Sequence, residues 1–397
     1  MRIGMVTGEY PPMEGGVGAF TRELARAMAD LGHEVHVLTR QQADGADEIG
    51  VHVAASVGTR WGWQTLRSIR KWALGQELAI VNPQFQTAAY NMHPAIHWLP
   101  SALRSTCPVV TTFHDLRAPY LFPKAGRVRA WIIRKLARDS TATIATDRAD
   151  AAQLQRWSIA HVRWIPIGSN VRRKPPANYD RAAWRKRLGV APNELLISHF
   201  GFLNESKGGL ALVEALARLV AEGVPAHLVM IGGRAGASDP TNFAYGERVD
   251  KCIASNNLEE RVHWTGFVNE EEVSANFLAS DVTALPYQDG VSLRRGTLMA
   301  ALVHGRAIVT TTPQTNAPEL DGALVTVSPA DSGALAKAIF AVWQDEGRRK
   351  SLEDAALKTA NLFGWNGIAK QTLAFYEELL GGSHSKSVQE QPHSQSL

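Results

Sequence analysis

Apolar residues along this chain fall into two rounds of one rhythm: a short buried run, a polar turn, then an amphipathic stretch of helical period. In the first round the apolar runs predict strands over residues 2–7, 34–39, 78–82, 109–113, 142–145 and 162–166. VGAFTRELARAMADL, 17–31, reads as an amphipathic helix closed by Gly32. SNVRRKPPAN, 169–178, is rich in proline and charge, lacks periodicity and reads as an interdomain linker. The rhythm restarts with strands over 194–200, 226–231, 262–266 and 282–286, and with helices over 209–222, 245–256 and 270–279. Strands alternating with helices imply mostly parallel sheets covered on both faces. The fold class is therefore α/β, with two Rossmann-like domains and a substrate cleft expected between them. The domains are read as 1–172 and 191–363, joined by a linker over 173–190. A last helix over 366–380 is followed by SHSKSVQEQPHSQSL, 383–397, which has no apolar content to bury and is expected to be disordered.

The segment over 285–312 carries the most chemistry. It reads as a strand, a turn containing Gly290, a helix opening at Ser292 or Leu293, and a second strand. A helix start presents unpaired N–H groups and the positive end of the helix dipole. Arg294 and Arg295 fall in that first turn, where the dipole favours acids, so the sequence reads as holding an anion there, a diphosphate. GFLNESKG, 201–208, also follows a strand and leads into a helix, and its Lys207 can reach a diphosphate as a point charge. Together the two loops predict one convergent anion site.

Gly15, Gly16 and Gly18 follow the first strand and open the first helix. Thr21 stands where a dinucleotide fingerprint needs its third glycine, and the second strand ends in Thr39–Arg40 rather than an acid, which disfavours NAD. A glycine loop touching a sugar or phosphate is the reading, beside a purely structural loop. His114 and Asp115 end the strand VVTTFHD at the carboxyl edge, where α/β folds place functional groups. His93 and His97 have zinc-like spacing, but Pro94 replaces the expected Glu, and no metal is read there.

Composition narrows the class. The chain has 397 residues, 45% hydrophobic and 20% charged, as in a soluble globular protein of two domains. No signal peptide or membrane span is read. Cys107 and Cys252 exclude a disulfide framework and fit a reducing cytosol. The formal net charge is +4, yet residues 1–172 hold 20 Lys and Arg against 13 Asp and Glu. Much of this excess lies in RWGWQTLRSIRKWAL, 60–74, and RVRAWIIRKLAR, 127–138. Both carry the signature of a helix on an anionic membrane surface, and a solvated helix with its tryptophans in the core gives the same pattern. No nucleic-acid-binding module accompanies the basic residues.

YPPMEGGVGAFTRELARAMADLGHEVHVLT, TFHD, IPIGSNV, GFLNESKGG, VMIGG, VHWTGFV, LPY…HGRAIVTT and PELDGALV occur in an order that resembles the retaining glycosyltransferases of family four, with the GT-B fold. The likeness extends through Leu380. It implies that helix 364–381 completes the N-terminal domain, that a nucleotide-diphosphate-sugar is held by the C-terminal domain, and that an acceptor is held by the N-terminal one. Lys207 matches the diphosphate lysine, His114 the histidine near the transferred sugar, and Gly15–Gly16 the N-terminal glycine loop. Asn204, Gly232, Gly233, Phe267, Val268, Gly290, Val291, Ser292 and Leu293 fall in its donor-binding loops.

The chain departs from the family twice. Phe202 stands where the family usually has a diphosphate arginine. The usual paired glutamates map to Ser292 and Ala300, or to Asp289 and Thr297, depending on the alignment. Arg294 or Arg295 is expected to replace the missing arginine, and Asp289 part of the first glutamate's work on the sugar hydroxyls. The implied activity is transfer of a hexosyl group, with retention, to a lipid-linked or glycan acceptor, without an obligatory metal or other cofactor. The implied setting is cytoplasmic, peripheral to the inner membrane face. Another GT-B enzyme, an epimerase or phosphorylase, and a degenerate sugar-nucleotide-binding protein are the alternatives.

Overall fold

The computed structural model describes residues 1–13, 15–58, 60–116, 126–233 and 240–387. The chain divides into two compact units, Met1–Gly168 with the chain from Gly364 onward, and Ser169–Phe363. Each is built on one parallel sheet.

The first unit contains β1 (Arg2–Val6), β2 (Glu34–Arg40), β3 (Val51–Val57), β4 (Ile80–Phe85), β5 (Val110–Phe113), β6 (Ala142–Ala145) and β7 (Val162–Trp164). They lie in the order β3-β2-β1-β4-β5-β6-β7. Central strands are buried on both faces, but β4 and β5 bury Asn82, Gln84, Thr111 and Thr112 among their apolar residues. One face is covered by helix Gly16–Asp30 and helix Trp365–Ser387, which meet through Phe20, Leu24, Ile368 and Tyr376. On the other face Ile69, Leu99, Ile133 and Leu154 form a second core.

The second unit contains β8 (Leu195–Phe200), β9 (Ala226–Ile231), β10 (Val262–Trp264), β11 (Val282–Leu285), β12 (Ala307–Thr311) and β13 (Leu324–Val327), ordered β10-β9-β8-β11-β12-β13. Its core packs Leu212, Leu216, Val249, Leu335 and Ile339 onto the sheet.

Two edge strands and two helices are among the elements that differ from the sequence expectation. The edge strands β3 and β13 have mixed burial rather than an apolar run, so no hydrophobic pattern marked them. The stretch read as linker contains helix Arg181–Arg187, whose Arg185 is buried against Asp281 and the carbonyls of Ala279, Ala191 and Glu194. The last helix continues through Gly381 to Ser387, because glycine in a helix costs only about 1 kcal/mol. Of the tail expected to be disordered, residues 388–397 lie outside the described residues.

Candidate functional site

In both sheets the strand order reverses beside the first strand of the unit, between β1 and β4 and between β8 and β11. Open parallel sheets bind ligands beyond the carboxyl ends of the strands at such a reversal. In the second unit the loops at this place are residues 201–208, after β8, and 286–295, after β11. These are the two loops predicted to converge.

Their contact is built by glycine. Gly208 has φ +70°, and a Cβ there would lie 1.9 Å from the Pro286 carbonyl oxygen, so only glycine lets the loops close. Gln288 N–H donates to the Ser206 carbonyl at 2.9 Å. The Asn204 side chain accepts from Lys207 N–H at 3.1 Å and from the Ser206 hydroxyl at 2.9 Å, which fixes the turn that carries Lys207. Asn204, expected to bind donor, thus shapes the loop with its side chain.

Lys207 points back over the end of β8. A Cβ on Gly201, itself at φ +108°, would lie 2.6 Å from Lys207 Nζ and 2.8 Å from the Thr297 methyl. Burial, followed by the charge of Arg295, lowers the Lys207 ammonium to about 8. No carboxylate pairs with Lys207 among the described residues.

The segment after β11 corrects the sequence expectation. Its helix is Gly296–Val303, with Arg295 as the N-cap, and not a helix opening at Ser292 or Leu293. Arg295 N–H donates to the Ser292 carbonyl at 3.2 Å, so residues 292–295 form a turn. Arg294 and Arg295 therefore precede the first helical turn. Arg295 forms an ion pair with Asp289, and its guanidinium lies over the Tyr287 ring at 4.7 Å. The Tyr287 and Thr297 hydroxyls are 2.5 Å apart. Arg295, Tyr287, Thr297 and Lys207 thus follow one another around the carboxyl end of β8.

The remaining donor-side residues divide. Val291 and Leu293 are core side chains, and Val291 N–H donates to the Thr311 carbonyl at 3.3 Å. Neither side chain is presented to a ligand. Gly290 is buried. Gly232 N–H donates to the Thr265 hydroxyl at 3.0 Å, and Gly232 bridges to Gly266, which joins the ends of β9 and β10. Just beyond, Phe267 is 77% exposed, beside half-buried Val268. An aromatic ring so placed can stack on a planar base.

In the first unit His114 sits at the end of β5. Its Nε2–H donates to Gln84 Oε1 at 3.0 Å, the Gln84 amide donates to Asn82 Oδ1, and the Asn82 amide donates to Thr112 Oγ1 at 2.9 Å. This chain of amides fixes the tautomer and leaves Nδ1 as an acceptor. Phe20 meets the imidazole edge-on at 4.7 Å. Burial pulls His114 down to about 3, so it is neutral at physiological pH. Sequence reading found His114 but not Gln84 or Asn82, whose alternation along β4 looks like that of any half-polar strand.

The glycine loop holds an anion of its own. Glu9 Oε1 accepts from Val17 N–H at 3.0 Å and Gly18 N–H at 3.3 Å, at the start of helix Gly16–Asp30. A Cβ on Gly15 would meet that carboxylate at 2.1 Å, and one on Gly18 would lie 2.8 Å from the Glu9 carbonyl oxygen. Gly15 and Gly18 thus make room for Glu9, and a Cβ on Gly16 would meet nothing within 4 Å. His97 Nδ1–H donates to the Pro94 carbonyl at 2.9 Å, while His93 Nδ1 accepts from Ala95 N–H at 3.2 Å. One nitrogen of each ring is used locally, and no cluster of three metal-ligating side chains occurs among the described residues.

A model of Glycosyltransferase Family 4 matches residues 14–173, and one of Glycosyl transferases group 1 matches residues 194–345. The phosphatidyl-myo-inositol mannosyltransferase of Mycolicibacterium smegmatis is 25% identical, over 96% of this chain and 95% of that protein. The D-inositol 3-phosphate glycosyltransferase of Xylanimonas cellulosilytica is 25% identical, over 95% and 96% respectively. Anabaena HepE, solved in complex with UDP and glucose, superposes with a TM-score of 0.76 at 19% identity, over 95% of this chain and 100% of that one. Sucrose-phosphate synthase from Thermosynechococcus elongatus gives 0.75 at 20% identity, over 96% and 99%. With two Rossmann-like sheets and both family models matched in their order along it, the chain belongs to family four of the glycosyltransferases and is a nucleotide-sugar-dependent hexosyltransferase of the GT-B fold.

Proposed function

We propose that this enzyme moves a hexosyl group from a nucleotide-diphosphate-sugar to a lipid-linked or glycan acceptor with retention of anomeric configuration, at the inner face of a membrane and without an obligatory metal. The convergence of Lys207 and Arg295 around the carboxyl end of β8 carries the donor part of the reading. Two cations partly withdrawn from water repel each other, and a diphosphate relieves that repulsion. In the reaction the bond from the anomeric carbon to the diphosphate breaks, and the acceptor oxygen bonds to that carbon from the same face. Preorganised cations stabilise charge on the departing group, and the departing phosphate takes the acceptor's proton. His114, neutral and held by Gln84, is assigned to positioning the sugar rather than to storing a proton.

A lipid-linked acceptor draws support from the mannosyltransferase relative, whose name specifies a phosphatidylinositol. Membrane contact draws support from helix Trp63–Gly75, where Trp63, Arg67, Arg70, Lys71 and Leu74 are all exposed and share a face. Trp131 on helix Gly126–Asp139 is also exposed, whereas Trp61 is buried in the core. No helix among the described residues is long and apolar enough to cross a membrane.

A melting-point screen of UDP-, GDP- and ADP-sugars identifies the donor, since a ligand of the folded state raises the midpoint. The selected donor, labelled in the sugar, should pass its label to a lipid or glycan acceptor. Isomerised donor without transfer would replace this reading with an epimerase.

A further inference from the structure

The family arginine is missing at Phe202, and two arginines stand in the opposite loop. Arg295 is tied into the wall that leads to Lys207. Its guanidinium covers Tyr287, the Tyr287 hydroxyl meets Thr297, and the Thr297 methyl and Lys207 Nζ share the space over Gly201. The guanidinium is only partly used. Nη2 donates to Asp289, whereas Nε is buried without an acceptor. A guanidinium offers five donors and suits bidentate acceptors, so a group with several phosphate oxygens fits it better than this single carboxylate contact.

We propose that Arg295 and Asp289 form a donor-operated exchange pair. When a diphosphate reaches Lys207, the ion pair breaks, Arg295 turns to the phosphate oxygens, and the Asp289 carboxylate is freed for the hydroxyls of the sugar. The exchange rests on the donor reading given above. Asp289 is half-buried, and a partly exposed ion pair contributes little, so it is readily given up. A diphosphate offers Arg295 more charge and more acceptors in return. Tyr287 keeps its ring under the guanidinium during the turn, because cation–π attraction holds across the face of a ring. The pair would therefore shield the Asp289 carboxylate until the leaving group is seated.

Inorganic pyrophosphate tests this without knowledge of the base, with binding followed by calorimetry on the full chain. Arg295→Ala should weaken pyrophosphate about tenfold, the loss expected for a charged hydrogen-bond partner. Asp289→Asn should do the opposite: it removes the competitor and tightens pyrophosphate by about threefold, the worth of a partly exposed ion pair. The same Asp289→Asn enzyme should lose kcat with the donor found in the screen. Tighter binding with slower turnover is not what loss of a structural contact produces. Pyrophosphate affinity unchanged or weakened by Asp289→Asn overturns the exchange, as does a loss carried by Arg294→Ala and absent from Arg295→Ala. If the two variants shift pyrophosphate in opposite directions but no sugar is transferred to any acceptor, the exchange stands and the transferase reading of the site falls. If transfer proceeds but both variants bind pyrophosphate like the native chain, the exchange alone falls.

Discussion

A half-buried lysine is costly to keep charged, and Lys207 is kept near the carboxyl end of β8 by a turn that has no freedom to let it leave. Asn204 fixes the backbone before it, and Gly208 fixes the backbone after it. Gly208→Ala forces a side chain into the left-handed region and against the Pro286 carbonyl. Such strain costs about 1–3 kcal/mol. The variant should melt lower and bind pyrophosphate more weakly, because the 201–208 loop must draw back from residues 286–288. A calorimetric scan and a titration check both, and native pyrophosphate affinity in a destabilised variant would separate the loop contact from the anion site. At this scale the sequence made Lys207 and His114 visible, since each stands at a fixed offset from an apolar strand, but not the need for glycine at 208. Arg295 was visible as an unusual charge but was set in the wrong backbone, because the turn at 292–295 is closed by one backbone bond that no side chain announces. Gln84 and Glu9 were invisible for another reason: their partners lie 30 and 8 or 9 residues away.

Helix Gly16–Asp30 shows how one element is finished by a residue outside it. Gly15 as N-cap has no side chain to offer, and the first turn contains no acid. Glu9 supplies the missing acceptor from eight residues upstream, and Arg40 lies near enough to lower its carboxyl slightly against the larger upward push of burial. Removing an N-terminal cap costs about 1 kcal/mol, and the lost dipole interaction adds less than that again. Glu9→Ala should therefore lower stability by about 1–2 kcal/mol in urea unfolding. Glu9→Gln should recover part of the loss, since an amide oxygen still accepts from Val17 N–H. Equal losses in both would place the effect in the charge and not in the cap. The elements themselves were legible where the apolar run or helical period was unbroken: β1, β6, β8, β9 and helix Glu270–Ala279 stand within a residue of the periodic reading, whereas β4, buried throughout, reads as 78–82 because Asn82, Pro83 and Gln84 break its apolar run. The edges were not, because an edge strand such as β3 needs no continuous apolar face, and its residues Ala54 and Ala55 suit a helix as well as a strand.

Among the described residues, burial pulls four histidines, two in each unit, to about 4 or below, and lowers His33, His36, His227 and His263 as well. His97 and His114 belong to the first, His199 and His304 to the second, and they lie at about 4, 3, 4 and 4. Three donate Nδ1–H to a carbonyl: His97 to Pro94 at 2.9 Å, His199 to Ala284 at 3.0 Å and His304 to Ala300 at 2.6 Å. These bonds favour the cation, but burial outweighs them. In the unfolded chain all four titrate near 6.5, so between about 6.5 and 4 the unfolded state binds more protons than the folded one. Stability from these groups is complete above about 6.5 and falls as pH falls, by up to about 1.4 kcal/mol per pH unit for each histidine. Glu9, raised by burial, opposes the trend as a single group against four. Lys207, near 8, stays charged throughout this window and adds no slope. Both units should therefore lose stability together between pH 6.5 and 5, before most carboxylates titrate. Melting curves at pH 7, 6 and 5 check this, and a midpoint that holds constant to pH 5 would refute it. His199→Gln, which replaces a titrating ring with a neutral amide inside β8, should make the descent of the second unit shallower, with His304 still titrating, while the first falls as before. That outcome would show that acid sensitivity is set separately in each sheet, and that the donor-binding unit can be made less acid-sensitive without touching Lys207, Asp289 or Arg295.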